Sequence, residues 1–250
     1  MLEPYEIILI SVISFLATYF GQLAGGGGLL VTPVLISFGL PVPIALGTRR
    51  FSTISGITAG LIQFHRWKQI DYRLSRFLVV FSTAGCALGY LVVNSIEGSI
   101  LKRIIGFLII AITIALIFEK SDKIQKIKGR LYRYRNSIGP FLALASGTLA
   151  VIIGGGGGTT FTYLLIIVYG QTILQSIGTR RLPLLSGHLV AAILFIWAGN
   201  VYYPLAVSLL CVNALGGWFG SQFYLKKGEK KVRALFFAII MLLGLKILLF

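Results

Sequence analysis

Ten apolar segments alternate with short basic stretches, at about residues 5–24, 29–48, 51–65, 77–94, 101–118, 138–153, 159–177, 182–199, 203–224 and 234–250. About 20 apolar residues cross a bilayer as a helix, and inside lipid every backbone N–H and C=O must be satisfied within the spanning structure. Segments of this length and number therefore dictate a bundle of membrane helices. Composition agrees: 56% of the 250 residues are hydrophobic and only 12% are charged, against about 25% charged in a soluble domain. The segments use nearly the whole chain and leave no room for a separate soluble domain. Met1 to Glu6 carry two acids and no base, which argues against a cleaved signal peptide.

The formal charge of +16 would suggest nucleic acid in a soluble protein. Here the bases sit mainly between apolar segments, where they report which loops face the cytoplasm, so nucleic acid is excluded as a partner. Cys86 and Cys211 both lie inside apolar segments and read as small packing residues.

The segments divide into two halves, residues 1–118 and 138–250, around a linker at 119–137 that carries seven Lys and Arg residues. The halves match at an offset of 131 residues. Gly47-Thr48-Arg49-Arg50 falls on Gly178-Thr179-Arg180-Arg181, Ser55-Gly56 on Ser186-Gly187, and Gly85 and Gly89 on Gly216 and Gly220. The glycine run Gly25 to Gly28 overlies Gly154 to Gly158. Such ordered correspondence reads as an internal duplication. An odd number of crossings per half inverts the second half relative to the first. With the linker inside, 18 basic residues then face the cytoplasm and 5 (Arg49, Arg50, Lys102, Arg103 and Lys246) face outward; parallel halves would split them 12 to 11. Only the inverted arrangement reproduces the positive-inside bias. The fold class expected is an all-α, multi-pass integral membrane protein of two inverted repeats, each of about five apolar segments. Glycine-rich breaks or re-entrant turns fall in the first two segments of each repeat, and both termini lie outside a cell membrane.

Each glycine run interrupts an apolar stretch. Glycine weakens a helix by about 1 kcal/mol per residue, and non-helical backbone at membrane depth survives only against protein or a wet cavity. A glycine break before a new helix start also gathers backbone donors and a positive dipole end. Gly25, Gly26, Gly27, Gly28, Gly155, Gly156, Gly157, Gly158 and the following Thr159 are therefore candidate substrate contacts; tight hairpins or close helix packing are the plain alternative. Thr48, Arg49 and Arg50 with Thr179, Arg180 and Arg181 join them. A charge at a helix centre costs roughly 2.5–3.5 kcal/mol, and guanidinium binds oxyanions through paired hydrogen bonds. Arginines snorkelling to the two interfaces would explain the motif equally well.

His188 lies mid-segment, opposite Ile57 in the other half, and is a candidate proton-coupling group or a histidine hydrogen-bonded within the bundle. Gln22, Asn213 and Thr160 are polar within or beside apolar segments and either line a site or bond across helices. The seven acids fall at segment ends or in loops, so no carboxylate proton relay is visible. No HExxH, no Gly-x-Ser-x-Gly and no Gly-Lys-Ser/Thr phosphate loop occurs. The sequence offers no catalytic set and no metal site.

Taken together, Gly-Gly-Gly-Gly-Leu-Leu-Val-Thr-Pro at 25–33, Gly39-Leu40-Pro41, Ala45-Leu46-Gly47-Thr48, Gln69-Ile70-Asp71-Tyr72-Arg73-Leu74, Ser146-Gly147-Thr148 and Ile177-Gly178-Thr179 resemble the TauE/SafE family of membrane transporters, sometimes called sulfite exporters. The resemblance implies a transporter of small sulfur-containing or organic anions, such as sulfite or sulfonates, with no cofactor. Relatives usually carry small or apolar residues after Gly-Thr; this chain carries Arg-Arg at both places. The function expected is secondary transport of a small anion by alternating access, with a proton or sodium ion as coupling partner and a homo-oligomer as the assembly. An anion channel and a non-transporting scaffold or receptor are the alternatives.

Overall fold

The computed structural model describes residues 2–24, 27–117, 131–155 and 157–227, and among these the regular structure is entirely helical. The helices are α1 (Pro4–Ala24), α2 (Gly27–Ser37), α3 (Val42–Arg66), α4 (Tyr72–Ser95), α5 (Gly98–Ile117), α6 (Arg135–Ile153), α7 (Gly157–Ile167), α8 (Ile173–Thr179), α9 (Arg181–Trp197) and α10 (Tyr203–Lys227), with a 3-10 turn at Tyr132–Tyr134. The expected tenth segment, 234–250, and most of the linker lie outside the described residues, as do Gly25, Gly26 and Gly156.

Among the described residues, five stretches are long and apolar enough to cross a membrane: Pro4–Gln22, Tyr72–Ser95, Tyr132–Ile153, Ile173–Trp197 and Tyr203–Lys226. By contrast α2 and α7 have 11 residues each, about 16 Å of helix against a hydrocarbon core of about 30 Å. At its far end α7 returns to the start of α6, where Leu131 N–H bonds the Ile167 carbonyl at 3.3 Å and Tyr169 donates to the Arg135 carbonyl at 3.1 Å. The surface is inside-out relative to a water-soluble protein. Trp197 is 82% exposed and Phe141 69%, while Ser14, Thr48, Ser52, Ser75, Ser82, Thr179 and Ser221 are fully buried. Apolar groups face outward where lipid is the solvent, and small polar ones bond between helices.

Two segment boundaries differ from those expected. The division anticipated at residues 48–51 lies instead at 38–41, where Gly39 adopts φ +84° and Pro41 precedes a helix with proline in its first turn. Helix α3 therefore runs unbroken through Gly47-Thr48-Arg49-Arg50. Arg49 and Arg50 are buried helix residues, not outward-facing loop residues. In the second half the turn falls at Gly170, φ +68°, followed by a capping box in which Thr172 and Gln175 exchange hydrogen bonds. There the helix does break at Arg180, three residues before Pro183. Proline has no N–H to offer the carbonyl four residues back, and the Ser75 hydroxyl takes that Thr179 carbonyl at 2.5 Å. Ser52 stands at the matching position of the first half and α3 continues past it.

Helices of the two halves interlock. Helix α4 packs on α6 and α9, and α10 packs on α1 and α3. Helices α3 and α9 cross antiparallel at the centre: Gly47 lies against Phe195 and Asn200, Arg50 meets His188, Gly60 lies against Arg181, and α8 continues the contact from Gly178 to Phe64. Glycines allow the close approaches. A Cβ on Gly217 would fall 2.3 Å from the Gly56 carbonyl oxygen, and one on Gly85 2.0 Å from that of Leu144.

Candidate functional site

A cavity of about 120 Å³ lies where α3, α9, α1 and the second glycine run converge, well above the roughly 15 Å³ needed for one water. Arg49, Arg50, Arg180, Arg181 and His188 line it, with Gly154, Gly155, Gly157 and Gly158 on one side and Thr18 and Gln22 of α1 on another. The α6–α7 break that shapes this wall begins at Gly154, whose φ of +72° caps α6 in the left-handed region. Both arginine pairs and the second glycine run thus line one cavity. The same lining does not include Thr48, Thr159 or Thr179, Thr159 being buried in α7, while Gly27 and Gly28 begin α2.

The two threonines do something else. Thr48 Oγ1 accepts the Tyr202 backbone N–H at 2.9 Å, and Thr179 Oγ1 accepts that of Asp71 at 3.1 Å. The neighbouring glycines complete each joint, because a Cβ on Gly47 would sit 2.0 Å from the Asn200 carbonyl oxygen and one on Gly178 2.2 Å from that of Gln69. Within each Gly-Thr-Arg-Arg, Gly-Thr clasps a loop of the other half, Thr48 the one between α9 and α10 and Thr179 the one between α3 and α4, while Arg-Arg turns into the cavity.

The four guanidinium groups hold different partners. Arg49 donates through Nε to the Gly154 carbonyl, and Arg180 donates to the Gly158 carbonyl and to Thr162 Oγ1. Arg181 Nη2 bonds Gln22 Oε1 at 2.6 Å and Ser221 Oγ at 3.2 Å, and its guanidinium stacks on Phe64 with 4.4 Å from Cζ to the ring centroid. Arg50, 1% exposed, reaches only His188 Nε2, at 2.7 Å. Its Nε and Nη2 and the Nε of Arg181 have no partner among the described residues. The described carboxylates, Glu3, Glu6, Asp71 and Glu97, sit outside the site, Asp71 as the N-cap of α4. Arg49, Arg50 and Arg181 are thus satisfied, in part, by uncharged groups alone.

Thr18, Thr53 and Gly21 are cavity residues that sequence reasoning did not single out. Gln22 and Asn213 had two readings: Gln22 lines the cavity, while Asn213 bonds Ser14 and Thr18 across helices at 2.8 Å each. Nothing in the primary pattern marks Thr18 or Thr53 apart from other small polar residues of membrane helices. Among the described residues no group of three or more His, Cys, Asp or Glu could hold a metal ion.

A helical, lipid-facing bundle with buried cations around a central hollow defines a multi-pass membrane protein of the transporter class. The chain belongs to the TauE/SafE family: the family described as sulfite exporter TauE/SafE matches residues 10–247. Similar proteins include a probable membrane transporter protein of Haemophilus influenzae, 24% identical over 223 residues, covering 88% of this chain and 86% of that protein. The probable membrane transporter protein YfcA of Escherichia coli is 25% identical over 252 residues, covering 99% and 91%. One from Methanocaldococcus jannaschii is 28% identical over 259 residues, covering 96% and 95%. No solved structure matches the chain. The protein is a membrane transporter of this family.

Proposed function

We propose that the protein is a secondary transporter moving a small oxyanion, such as sulfite, an organosulfonate or a related organic anion, by alternating access between two inverted repeats. One observation carries the anion assignment: Arg49, Arg50 and Arg181 converge from both halves on one cavity and meet only uncharged partners among the described residues, and Arg50 and Arg181 keep buried nitrogens with no partner there. A buried, unsatisfied charge-bearing donor is costly, and an oxyanion supplies both the missing charge and the missing acceptors. The glycine break adds backbone to the same wall.

Support for inversion comes from the antiparallel crossing of α3 and α9, equivalent stretches of the two halves, and from the reciprocal packing of α4 on α6 and of α10 on α1. A two-fold axis in the membrane plane relates elements in this way, with the binding site at the repeat interface. The start of α1 then lies on the outer face of the cell membrane and the 119–137 linker in the cytoplasm.

The test is exchange by purified protein in liposomes, comparing sulfite, sulfate, methanesulfonate and acetate. Saturable counterflow of one or more of these, abolished by replacing Arg50 and Arg181 together with glutamine, is the expected outcome. Conductance far above transporter turnover would make it a channel, and absence of any anion flux would remove the assignment.

A further inference from the structure

We infer that His188 is a proton site of the anion pathway: its Nε2 takes up one proton when an anion binds beside Arg50 and gives it up when the anion leaves. This rests on the anion-transport reading above and adds the ion that travels with the substrate.

Hydrogen-bond chemistry fixes the state of the ring. His188 Nδ1 lies 2.7 Å from the Leu184 carbonyl oxygen, which only accepts, so Nδ1 carries the hydrogen. Nε2 lies 2.7 Å from Arg50 Nη1, which only donates, so Nε2 holds a lone pair and the ring is neutral. That lone pair is the one protein acceptor Arg50 has among the described residues, and its buried Nε and Nη2 have none. A proton on Nε2 removes the acceptor, because two donors cannot bond each other. Arg50 Nη1–H and His188 Nε2–H then both turn to an anion, which gains two donors and offsets the added charge. Proton and anion therefore each favour the binding of the other, by an equal factor in both directions.

The surroundings leave His188 as the group for this task. The ionisable groups facing it are Arg49 and Arg50 from α3 and the Cys86 thiol of α4, which lies against Gly187. Along its own chain stand Arg180 and Arg181, and α1, α6 and α7 bring only neutral groups to the cavity. Guanidinium stays protonated at any working pH, whereas imidazole titrates near neutrality. The matching position of the first half, Ile57, also lines the cavity and holds no proton. The scaffold is doubled but the proton site is single, which sets one proton per transport cycle. The proton enters from water on one side with the anion and returns to water on the other.

Purified full-length protein in detergent is titrated with sulfate and with methanesulfonate, which keep their charge between pH 5 and 8. Anion binding is followed by calorimetry and proton uptake by an indicator dye in weak buffer. The expected result is one proton taken up per anion bound, with affinity falling about tenfold per pH unit over the range in which that full uptake is measured. His188→Gln keeps an acceptor for Arg50 and is expected to bind the anion with no proton uptake and a flat pH profile. Binding by the unaltered protein without proton uptake, or uptake that persists in His188→Gln, overturns the inference while leaving anion transport intact. Failure to bind sulfate, methanesulfonate, sulfite or acetate at all overturns both. If His188→Gln does not fold, the proton count of the unaltered protein decides alone.

Discussion

Arginines with the same motif position do different work according to what each meets. Arg49 and Arg180 tie carbonyls of the second glycine run and so hold the break in place, whereas Arg50 keeps two unpartnered nitrogens. Arg50→Gln is therefore expected to remove anion contacts and the hydrogen bond to His188. A hydrogen bond to a charged group contributes about 1.5–3 kcal/mol, so sulfate affinity should fall roughly 10- to 150-fold. Thermal unfolding should not shift downward, because an incompletely satisfied buried charge is removed. A lower melting temperature with unchanged affinity would return Arg50 to a structural role. Gly60 matters to the site for a related reason: a Cβ there would lie 2.0 Å from Arg181 Nη1, so any larger residue displaces the guanidinium from Gln22.

Among the elements, the two clasps at opposite ends of α3 and α8 join the halves. Each combines a glycine under a carbonyl with a threonine hydroxyl that accepts the N–H of a loop residue. Gly47→Ala and Gly178→Ala drive a methyl into backbone that cannot move without displacing a helix end, so each should lower stability by about 1–3 kcal/mol or more. Thr48→Val and Thr179→Val keep the shape and remove the acceptor of one part-buried N–H, a cost of about 1 kcal/mol. Melting curves in detergent for the four variants measure this, and equal losses at the two ends are expected because the joints are equivalent. If the valine variants melt with the unaltered protein, the hydroxyls hold nothing together. The same elements explain why Thr-Arg-Arg reads as one substrate motif in the sequence: adjacent residues present two faces of one helix turn, and the string does not say which face meets a loop.

Over the whole molecule, the inverted arrangement we propose fixes which loops share a side. Lys68, after α3, and Ala198, after α9, are both exposed and should be on opposite faces of the membrane. With Cys211 changed to serine to clear the background, Lys68→Cys and Ala198→Cys are expected to react with a membrane-impermeant maleimide from opposite sides of intact cells or sealed vesicles. Labelling of both from one side would make the halves parallel and dismantle the alternating-access proposal.

The sequence by itself determined the membrane bundle and the identity of the residues that recur in its two halves. Apolar length and internal similarity are properties of the string, and lipid leaves few structures that satisfy them. Tertiary structure decided which repeated residues become clasp and which become cavity. It moved Arg49 and Arg50 from an expected loop into the heart of α3, and it brought Arg49 to Gly154, Arg50 to His188 and Arg181 to Gln22 across 105, 138 and 159 residues of chain. Those partners meet because antiparallel helices from the two halves cross at glycines, and the depth and rotation of a crossing depend on packing that no local pattern encodes.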